Sequence, residues 1–379
     1  MTPALAFAWL ALAAVQPPAD TVRATRVATI GELAPRTPFL IGEVSGLALD
    51  EAGRVYVSDF QDPRVLVFGG DGRHLATLGR KGRGPGEFEA PTGPVIGPDG
   101  ALYVRNMERV MRFVPPGAGR IPARFDRQFT GPVMAPWRSK LPSVIDRERR
   151  FHFPVEAGLQ DGLTHYAFWR YGLDGRRLDS LPVPTWPTTR SNWASYRSRI
   201  VPGLHVVPFH PVPAWAVTPA GTVLGGPADR YELSETDAAG RELRRFGRTV
   251  TPARIPGPER AESARALRRR VDSLGVPIAE VRGASEEVRA GRLPDVYPAY
   301  RGVVATPAGE VWVRRWSPPG LRGASLFDVF GAAGAYRHTL VLPADCAGEP
   351  APAVRGRLVA CVEVDGETGA ESVVVARLP

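Results

Sequence analysis

Six histidines are the side chains best suited to hold a metal or move a proton in this chain of 379 residues. His205 and His210 lie close together, but a His-x4-His spacing on a loop matches no recognised ligand set, and no carboxylate lies near it in the sequence. His152 lies in an alternating apolar stretch. We therefore keep His210 and His152 as candidates for ligand or partner binding and predict no metal site from them.

Two arginines follow apolar alternating stretches in matching places, Arg105 in LYVRN and Arg314 in VWVRR. A guanidinium group binds carboxylates and phosphates through paired N–H donors. If both arginines line the mouth of one cavity, they predict a cationic site for such groups. Solvated arginines with no ligand are the alternative.

The formal net charge of +9 comes almost entirely from arginine, because Lys81 and Lys140 are the only lysines. A basic chain can bind nucleic acid or an anionic membrane. No run of five or more basic residues occurs, and the densest groups are RERR (147–150) and RALRRR (265–270). The pattern favours a soluble basic surface and disfavours nucleic acid as a partner.

An internal repeat places these residues on structural elements. Each strong copy is an apolar strand, a tight turn that ends in Gly and a second apolar strand. GLALDEAGRVYVSD aligns without a gap with GPVIGPDGALYVRN. The strong copies lie at 46–59, 93–106, 215–226 and 302–315, and weaker copies lie at 142–154 and 352–364.

A second hairpin follows four of these units, with Asp-Gly or Ala-Gly at its bend, where positive φ must be tolerated. A four-stranded antiparallel module repeated six times predicts an all-β fold, a six-bladed β-propeller. The last unit, ending at 371–379, is one strand short. RVATIG (26–31) matches the outermost strand HLATLG (74–79), so we predict that an N-terminal strand completes the sixth blade and closes the ring.

One stretch carries a family resemblance. GRGPGEFEAPTGPVIGPDGALYV (82–104), together with VYVSD (55–59) and RVLVFGGDG (64–72), resembles the NHL repeat. The strong match covers residues 42–113, and the other blades resemble the broader TolB-like six-bladed propellers of bacteria. The resemblance implies the fold but no single activity, because such propellers include binding scaffolds, lactonases and lyases.

Asp59 and Asn106 occupy equivalent positions at the end of a second strand. In NHL-like blades such a residue ties the following loop by accepting backbone N–H bonds, so we assign both to structure rather than to acid–base chemistry. No Ser-His-Asp or Cys-His arrangement can be defended from spacing. A propeller takes its site residues from different blades, one per blade, so their spacing in the sequence gives almost no information about a catalytic site.

Two long segments, 184–212 and 248–298, interrupt the repeat after a fourth strand. Connections of that kind emerge on one face of a propeller, here called the upper face. The second segment contains a predicted amphipathic helix between blades 4 and 5, whose apolar stripe is Ala264, Leu267, Val271 and Leu274. We predict that a protein or small-molecule partner binds this upper face. Trp193 and Trp215 are further candidate contacts, and packing of a lid is their alternative role.

The N-terminus has an apolar run from Ala4 to Val15 and then a Pro-rich break. We expect residues 1–20 to be a signal peptide and linker, and residues 21–379 to be a single propeller exported to the periplasm or the extracellular space. The run is too short to span a bilayer, so no transmembrane segment is expected in the mature chain.

Cys346 and Cys361 are the only cysteines. In an exported protein their spacing predicts a disulfide, and two unrelated buried thiols are the alternative. The whole pattern favours a propeller that acts as a binding scaffold without a cofactor. The alternative is a lactonase-like hydrolase or lyase with a divalent metal, Ca or Zn, at the channel mouth.

Overall fold

The structure is a computed structural model that describes residues 20–31, 40–114, 124–132, 140, 143–160, 163–186, 193–197, 202–272, 293–317, 321 and 323–379. Its strands form a six-bladed β-propeller. Blades 1 to 4 are antiparallel sheets whose four strands follow one another in sequence order, and two N-terminal strands join the sheets of blades 5 and 6. The first strand of every blade lies innermost, next to the axis of the ring.

The first three blades lie in the N-terminal half of the chain. Blade 1 contains Val44–Leu49, Val55–Asp59, Arg64–Phe68 and His74–Leu78. Blade 2 contains Pro91–Ile96, Leu102–Asn106, Arg109–Phe113 and Phe125–Thr130. Blade 3 contains Val144–Ile145, Arg150–Gln160, Leu163–Gly172 and Arg177–Pro182.

The C-terminal half forms the other three blades. Blade 4 contains Ala214–Val217, Val223–Gly226, Glu232–Thr236 and Glu242–Gly247. Blade 5 contains Gly302–Ala305, Val311–Arg314, Ser325–Phe330 and Tyr336–Leu342, and Thr21–Arg23 pairs parallel to the last of these. Blade 6 contains Ala353–Arg355, Leu358–Val364 and Glu371–Arg377, with Thr25–Ile30 antiparallel to the last strand.

Apolar clusters fill the spaces between neighbouring blades. Tyr56 and Val67 of blade 1, for example, pack against Leu102 and Val104 of blade 2. Corresponding clusters join each of the other neighbouring pairs, including blades 6 and 1. The second strand of blade 1, Val55–Asp59, is buried along its whole length because both faces of its sheet are covered.

The turn between the first and second strands of a blade, here called the first turn, repeats in closely similar form. In blade 1 the Asp50 N–H donates to the Arg54 carbonyl at 3.2 Å, and the Gly53 N–H donates to the Asp50 carbonyl at 3.0 Å. The bend requires positive φ, which is 76° at Gly53 and 63° at Arg149 in blade 3. First turns emerge on the face opposite to the connections between blades, here called the lower face.

Both long insertions contribute to a single apolar cluster outside the six interfaces, here called the satellite core. The helix α1, Gly257–Asp272, buries Ala264 and Leu267 as its apolar stripe predicts, while Arg268 and Arg269 are exposed. The structure does not describe the side chains of Val271 and Leu274, the other two residues of the predicted stripe. The satellite core consists of Val207, Phe209, Ile255, Ala264, Leu267, Leu293 and Tyr297, with Trp316 packed against it.

The predicted disulfide is confirmed. Cys346 and Cys361 are bonded, with their Cα atoms 5.5 Å apart, and they join the connection between blades 5 and 6 to the second strand of blade 6. Among the described residues, no helix is long and apolar enough to cross a bilayer.

Candidate functional site: the central channel

A cavity of about 710 Å³ lies on the axis of the ring, and all six blades contribute first-strand or first-turn residues to its wall. Each first strand pairs with only one neighbour, so the backbone groups of its other edge face the axis. The side chains that complete the wall are mainly apolar. They include Leu49, Ile96, Val144, Ile145, Val304 and Ala305.

Glycines let two first strands approach each other towards the upper end of the channel. A Cβ atom at Gly46 would lie 2.4 Å from Cδ of Pro94 and 2.9 Å from the Gly93 nitrogen, closer than packed atoms allow. Gly93 and Pro94 belong to an irregularity in the first strand of blade 2, where the register shifts between Thr92 and Val95.

The exposed residues of the channel wall all belong to first turns. Glu51, Pro98, Arg147 and Pro307 are examples. Because first turns emerge on the lower face, the channel opens on that face.

The carboxylates around this opening serve as structural ties. Asp50 accepts hydrogen bonds from Arg54 Nε at 2.6 Å and from the Tyr56 hydroxyl at 3.0 Å. Asp146, its equivalent in blade 3, accepts from Arg150 Nε at 2.8 Å and from His152 Nε2 at 2.8 Å. In both blades the carboxylate links the first turn to the second strand.

Burial and hydrogen bonding act in opposite directions on Asp146. Burial alone would raise the pKa of its carboxyl group, but hydrogen bonds from His152 and Arg150 outweigh it and lower the pKa to about 2. Burial lowers the pKa of the His152 imidazole below its ordinary value, although Asp146 opposes the change. At neutral pH the pair is therefore an ionised carboxylate and a neutral imidazole.

The predicted site residue His152 is thus part of a first-turn tie. Its side chain is fully buried, in the position that Tyr56 occupies in blade 1. Its Nδ1 has no hydrogen-bond partner among the described residues. The structure does not place it on the upper face where the sequence pattern led us to expect a ligand.

The two predicted arginines belong to different environments. Arg105 and Arg314 lie on the second strands of blades 2 and 5, which are three blades apart and therefore opposite in the ring. Nη1 of Arg314 donates to the Ala347 carbonyl at 2.8 Å, and its Nη2 donates to the Cys346 carbonyl. Arg314 therefore supports the disulfide-bearing connection, and the two arginines do not form one cationic site.

The remaining predicted contacts lie near blade 4. The Trp215 ring packs in the interface of blades 3 and 4, with centroids 5.3 Å from Phe168 and 5.7 Å from Tyr166. The His210 N–H donates to the Val207 carbonyl at 3.2 Å, just before the first strand of blade 4. Trp193 begins the hairpin strand Trp193–Arg197, and its side chain lies outside the described part of the structure.

Asp59 and Asn106 accept backbone N–H bonds as the sequence predicts, but only Asp59 ties the loop that follows it, and Asn106 ties the loop that precedes its blade. Oδ1 of Asp59 accepts backbone N–H bonds from Glu43, Gln61 and Asp62 at 3.1–3.2 Å. Oδ1 of Asn106 accepts from Glu89 at 2.8 Å and from Ala90 at 2.9 Å. Each side chain therefore fixes a loop that leads into its own blade.

Lys140 and Ser143 are channel residues that the sequence pattern missed. Lys140 Nζ lies 3.0 Å from Glu371 Oε1 and 3.5 Å from Glu43 Oε1, so it links the connection into blade 3 to blades 6 and 1. Burial raises the pKa of the Glu349 carboxyl group, and the nearby Lys140 opposes this. Lys140 could have been noticed as one of only two lysines in the chain.

Within the described ranges no group of three or more His, Cys, Asp or Glu side chains is placed to hold a metal ion. The carboxylates of the channel wall are instead matched with basic groups. Asp99 receives hydrogen bonds from Arg112 Nη2 at 3.0 Å and from the Tyr103 hydroxyl at 3.2 Å. Glu51 pairs with Arg355 at 3.0 Å across the interface of blades 6 and 1.

Comparison with known proteins supports the fold. Residues 32–113 match the model of the DUF5128 family, described as a 6-bladed beta-propeller. This match supports six blades and does not distinguish the NHL or TolB-like families that the motifs resemble. A search among curated proteins finds no match.

Several solved structures are distantly similar. A protein from Bacteroides fragilis shares 9% identity with a TM-score of 0.47, over 95% of this chain and 99% of its own. Virginiamycin B lyase from Staphylococcus aureus shares 10% identity with a TM-score of 0.38, over 88% and 94%. A PQQ-bound aldose sugar dehydrogenase from Streptomyces coelicolor shares 15% identity with a TM-score of 0.42, over 93% and 96%. At this distance none of them bears on activity.

The Asp146 tie predicts a defined acid sensitivity. Its folded pKa of about 2 lies below the ordinary value of 3.8, so its stabilisation is complete above pH 4 and is lost as the pH falls towards 2. The difference between these pKa values is worth about 2 kcal/mol. We expect the gap in unfolding free energy between wild type and Asp146→Asn, measured by urea titration, to shrink by that amount between pH 5 and pH 2.

The matched control is Asp71→Asn, which changes an exposed turn aspartate in blade 1. Its gap from wild type should stay nearly constant over the same pH range. An Asp146→Asn gap that is independent of pH would show that the carboxylate does not carry the tie.

Proposed function

We propose that this protein is a binding protein that holds a small molecule in its central channel. The observation that carries the proposal is the cavity of about 710 Å³ on the propeller axis, with mainly apolar side chains along its wall and an opening on the lower face. Concave, largely apolar cavities of this size are typical of small-molecule sites.

The state of the channel carboxylates favours binding over catalysis. Asp50, Asp99 and Asp146 all accept hydrogen bonds from arginines of their own blades. The pKa of Asp99 is lowered, because hydrogen bonds from Arg112 and the Ala101 N–H outweigh its burial. A general acid needs a pKa near the working pH, and Asp99 and Asp146 are shifted in the opposite direction.

The upper face supports a ligand site less well. Three aromatic side chains on or beside the insertions pack against one another, with ring centroids 5.0–5.7 Å apart. They are Phe209, Tyr297 and Trp316. Trp186 donates to Ser234 and packs in the interface of blades 3 and 4. These rings are used for packing, so binding of a partner at the upper face stays a prediction and the channel becomes the first candidate.

We also propose that Thr25–Ile30 closes the ring. It is the fourth strand of blade 6, and Ile30 belongs to the cluster between blades 6 and 1. Without it, Glu371–Arg377 would present an unpaired strand edge. Since blades 6 and 1 both contribute to the channel wall, closure would also fix the shape of the channel.

We infer further that the protein works in an exported, oxidising compartment. The disulfide between Cys346 and Cys361 supports this, because disulfides persist mainly outside the cytosol. The apolar run from Ala4 to Val15, which lies outside the described residues, has the pattern of a signal peptide.

A bulky side chain in the channel should abolish ligand binding. N-phenyl-1-naphthylamine, a neutral probe whose fluorescence rises when it leaves water, should bind wild type saturably with one site per chain. Ala305→Trp places an indole in the wall of the channel and should abolish the saturable signal. Ala308→Trp makes the same change on an exposed residue of the same first turn, outside the channel wall, and should bind as wild type does.

Equal binding by the two variants would place the probe outside the channel and overturn the proposal. Metal content of the purified protein, measured by plasma mass spectrometry, tests the hydrolase or lyase alternative. Stoichiometric Ca or Zn whose removal also removes an enzymatic activity would favour the hydrolase or lyase alternative.

Removal of the N-terminal strand should destabilise the ring. A chain that begins at residue 32 loses both N-terminal strands, so we expect it to aggregate on size-exclusion chromatography and to unfold at lower urea concentration. A chain that begins at residue 20 keeps both strands and is the control. Equal stability of the two chains would show that the strand is not needed for closure.

Export predicts two properties of the protein isolated from its native cells. Intact-mass spectrometry should show that the apolar N-terminal segment is absent, and reduction should add two hydrogens at Cys346 and Cys361. Because the two cysteines are 15 positions apart, replacing both with Ala should lower the unfolding free energy by about 3 kcal/mol. A full-length chain with free thiols would contradict the proposed compartment.

A further inference from the structure

Among the described residues, Arg105 is a buried cation without a counter-charge. Its residue exposure is 3%, and its one hydrogen bond within the described part of the chain joins Nη1 to Ser143 Oγ at 3.4 Å. Burial lowers the pKa of its guanidinium group to about 10, and no carboxylate acts to raise it. A guanidinium has five N–H donors, and burying it unpaired is costly.

Arg314 shows what a structural arginine at this position of the repeat looks like. LYVRN and VWVRR place Arg105 and Arg314 at the same step of a second strand. Arg314 also is buried, but its Nη1 and Nη2 donate to two backbone carbonyls and Ser325 Oγ, and its Nε alone lacks a partner among the described residues. Arg105 has no such set of acceptors, so support of a loop does not explain it.

The location of Arg105 links it to the channel. Its partner Ser143 lines the channel and precedes the first strand of blade 3, on the side towards the upper face. Gly93 also lines the channel, and a Cβ atom there would lie 3.2 Å from Ser143 Oγ. Such a contact would be crowded, so glycine lets the first strand of blade 2 approach this hydroxyl closely. The Ser143 hydroxyl proton has no acceptor within the described ranges.

Resting on the proposed channel function, we infer that Arg105 and Ser143 bind the anionic group of the ligand. The group is a carboxylate or a phosphate, since both accept N–H and O–H donors and supply the missing negative charge. The rest of the ligand is apolar and extends along the channel towards the lower face. Nearby Lys140 is already paired with Glu371 and Glu43, which leaves Arg105 as the cation to be neutralised.

Stability separates a binding role for Arg105 from a structural one. Arg105→Met removes an uncompensated charge and keeps an unbranched apolar side chain in place of the aliphatic part of arginine, so the Tm of the ligand-free protein should stay the same or rise. Arg314→Met, the matched control, leaves two backbone carbonyls without donors, so it should lower the Tm by several degrees. A drop in Tm for Arg105→Met as large as that for Arg314→Met would overturn the inference.

Binding tests the chemistry directly, with octanol, octanoate and octyl phosphate as competitors of the neutral probe. In wild type at pH 7, at least one of the two anions should displace the probe at a concentration about tenfold lower than octanol does. The anion that displaces the probe at the lower concentration identifies the negative group of the ligand as a carboxylate or a phosphate. In Arg105→Met the concentrations at which the three competitors displace the probe should agree within about a factor of two.

Arg73→Met is the control for general attraction of anions, because Arg73 is an exposed arginine of blade 1 that lies outside the channel wall. It should keep the preference for the anion. If octanol displaces the probe from wild type as well as both anions do, the channel function stands and the anion site is refuted. If none of the competitors displaces it, or if Ala305→Trp still binds it, the channel function itself fails.

If Arg105→Met does not fold, that result counts against the inference, because removal of an unpaired charge should be tolerated. Ser143→Ala then tests the same site in a folded protein. It should reduce the preference for the anion over octanol by about threefold or more. An unchanged preference would overturn the inference.

Discussion

A blade of this protein carries apolar side chains on both faces of its sheet and cannot bury them alone. Each face needs a neighbouring blade, and this requirement is met only when blade 6 packs against blade 1 through their shared cluster. The ring that results leaves the inner edges of the sheets facing a common axis. The channel is therefore a consequence of how the blades are buried, and its wall inherits both the apolar side chains and the backbone groups of the first strands.

The repeat supplies equivalent positions, and the blades use them for different purposes. Position by position, Tyr56 in blade 1 and His152 in blade 3 both donate to a first-turn aspartate, so two unrelated side chains perform the same structural task. The second strand shows the opposite case, because Arg105 and Arg314 are the same residue type in dissimilar surroundings. Residue type alone therefore does not indicate the role of a side chain in this fold. The hydrogen-bond partners of the side chain indicate it.

Local chemistry made much of the fold predictable. Alternating apolar residues, Gly-containing bends and the paired cysteines are signals within short stretches, and they predicted the six blades, the disulfide and the loop tie of Asp59. The channel site was not predictable in the same way. Arg105 and Ser143 meet across two blades and 38 positions of sequence, and no local pattern records such a contact. The face of the opening also depends on how all first turns converge, which no single stretch contains.

The satellite core has a consequence for how this protein can change over time. Residues of both long insertions, such as Phe209 from the first and Leu267 from the second, are buried in one cluster. Neither insertion can hide its apolar side chains without the other, although blade 4 separates them in the sequence. A recombination event that exchanges only one of them would expose half of a core. The two insertions should therefore be inherited, lost or transplanted into a related scaffold as one unit, while the blades between and around them diverge separately.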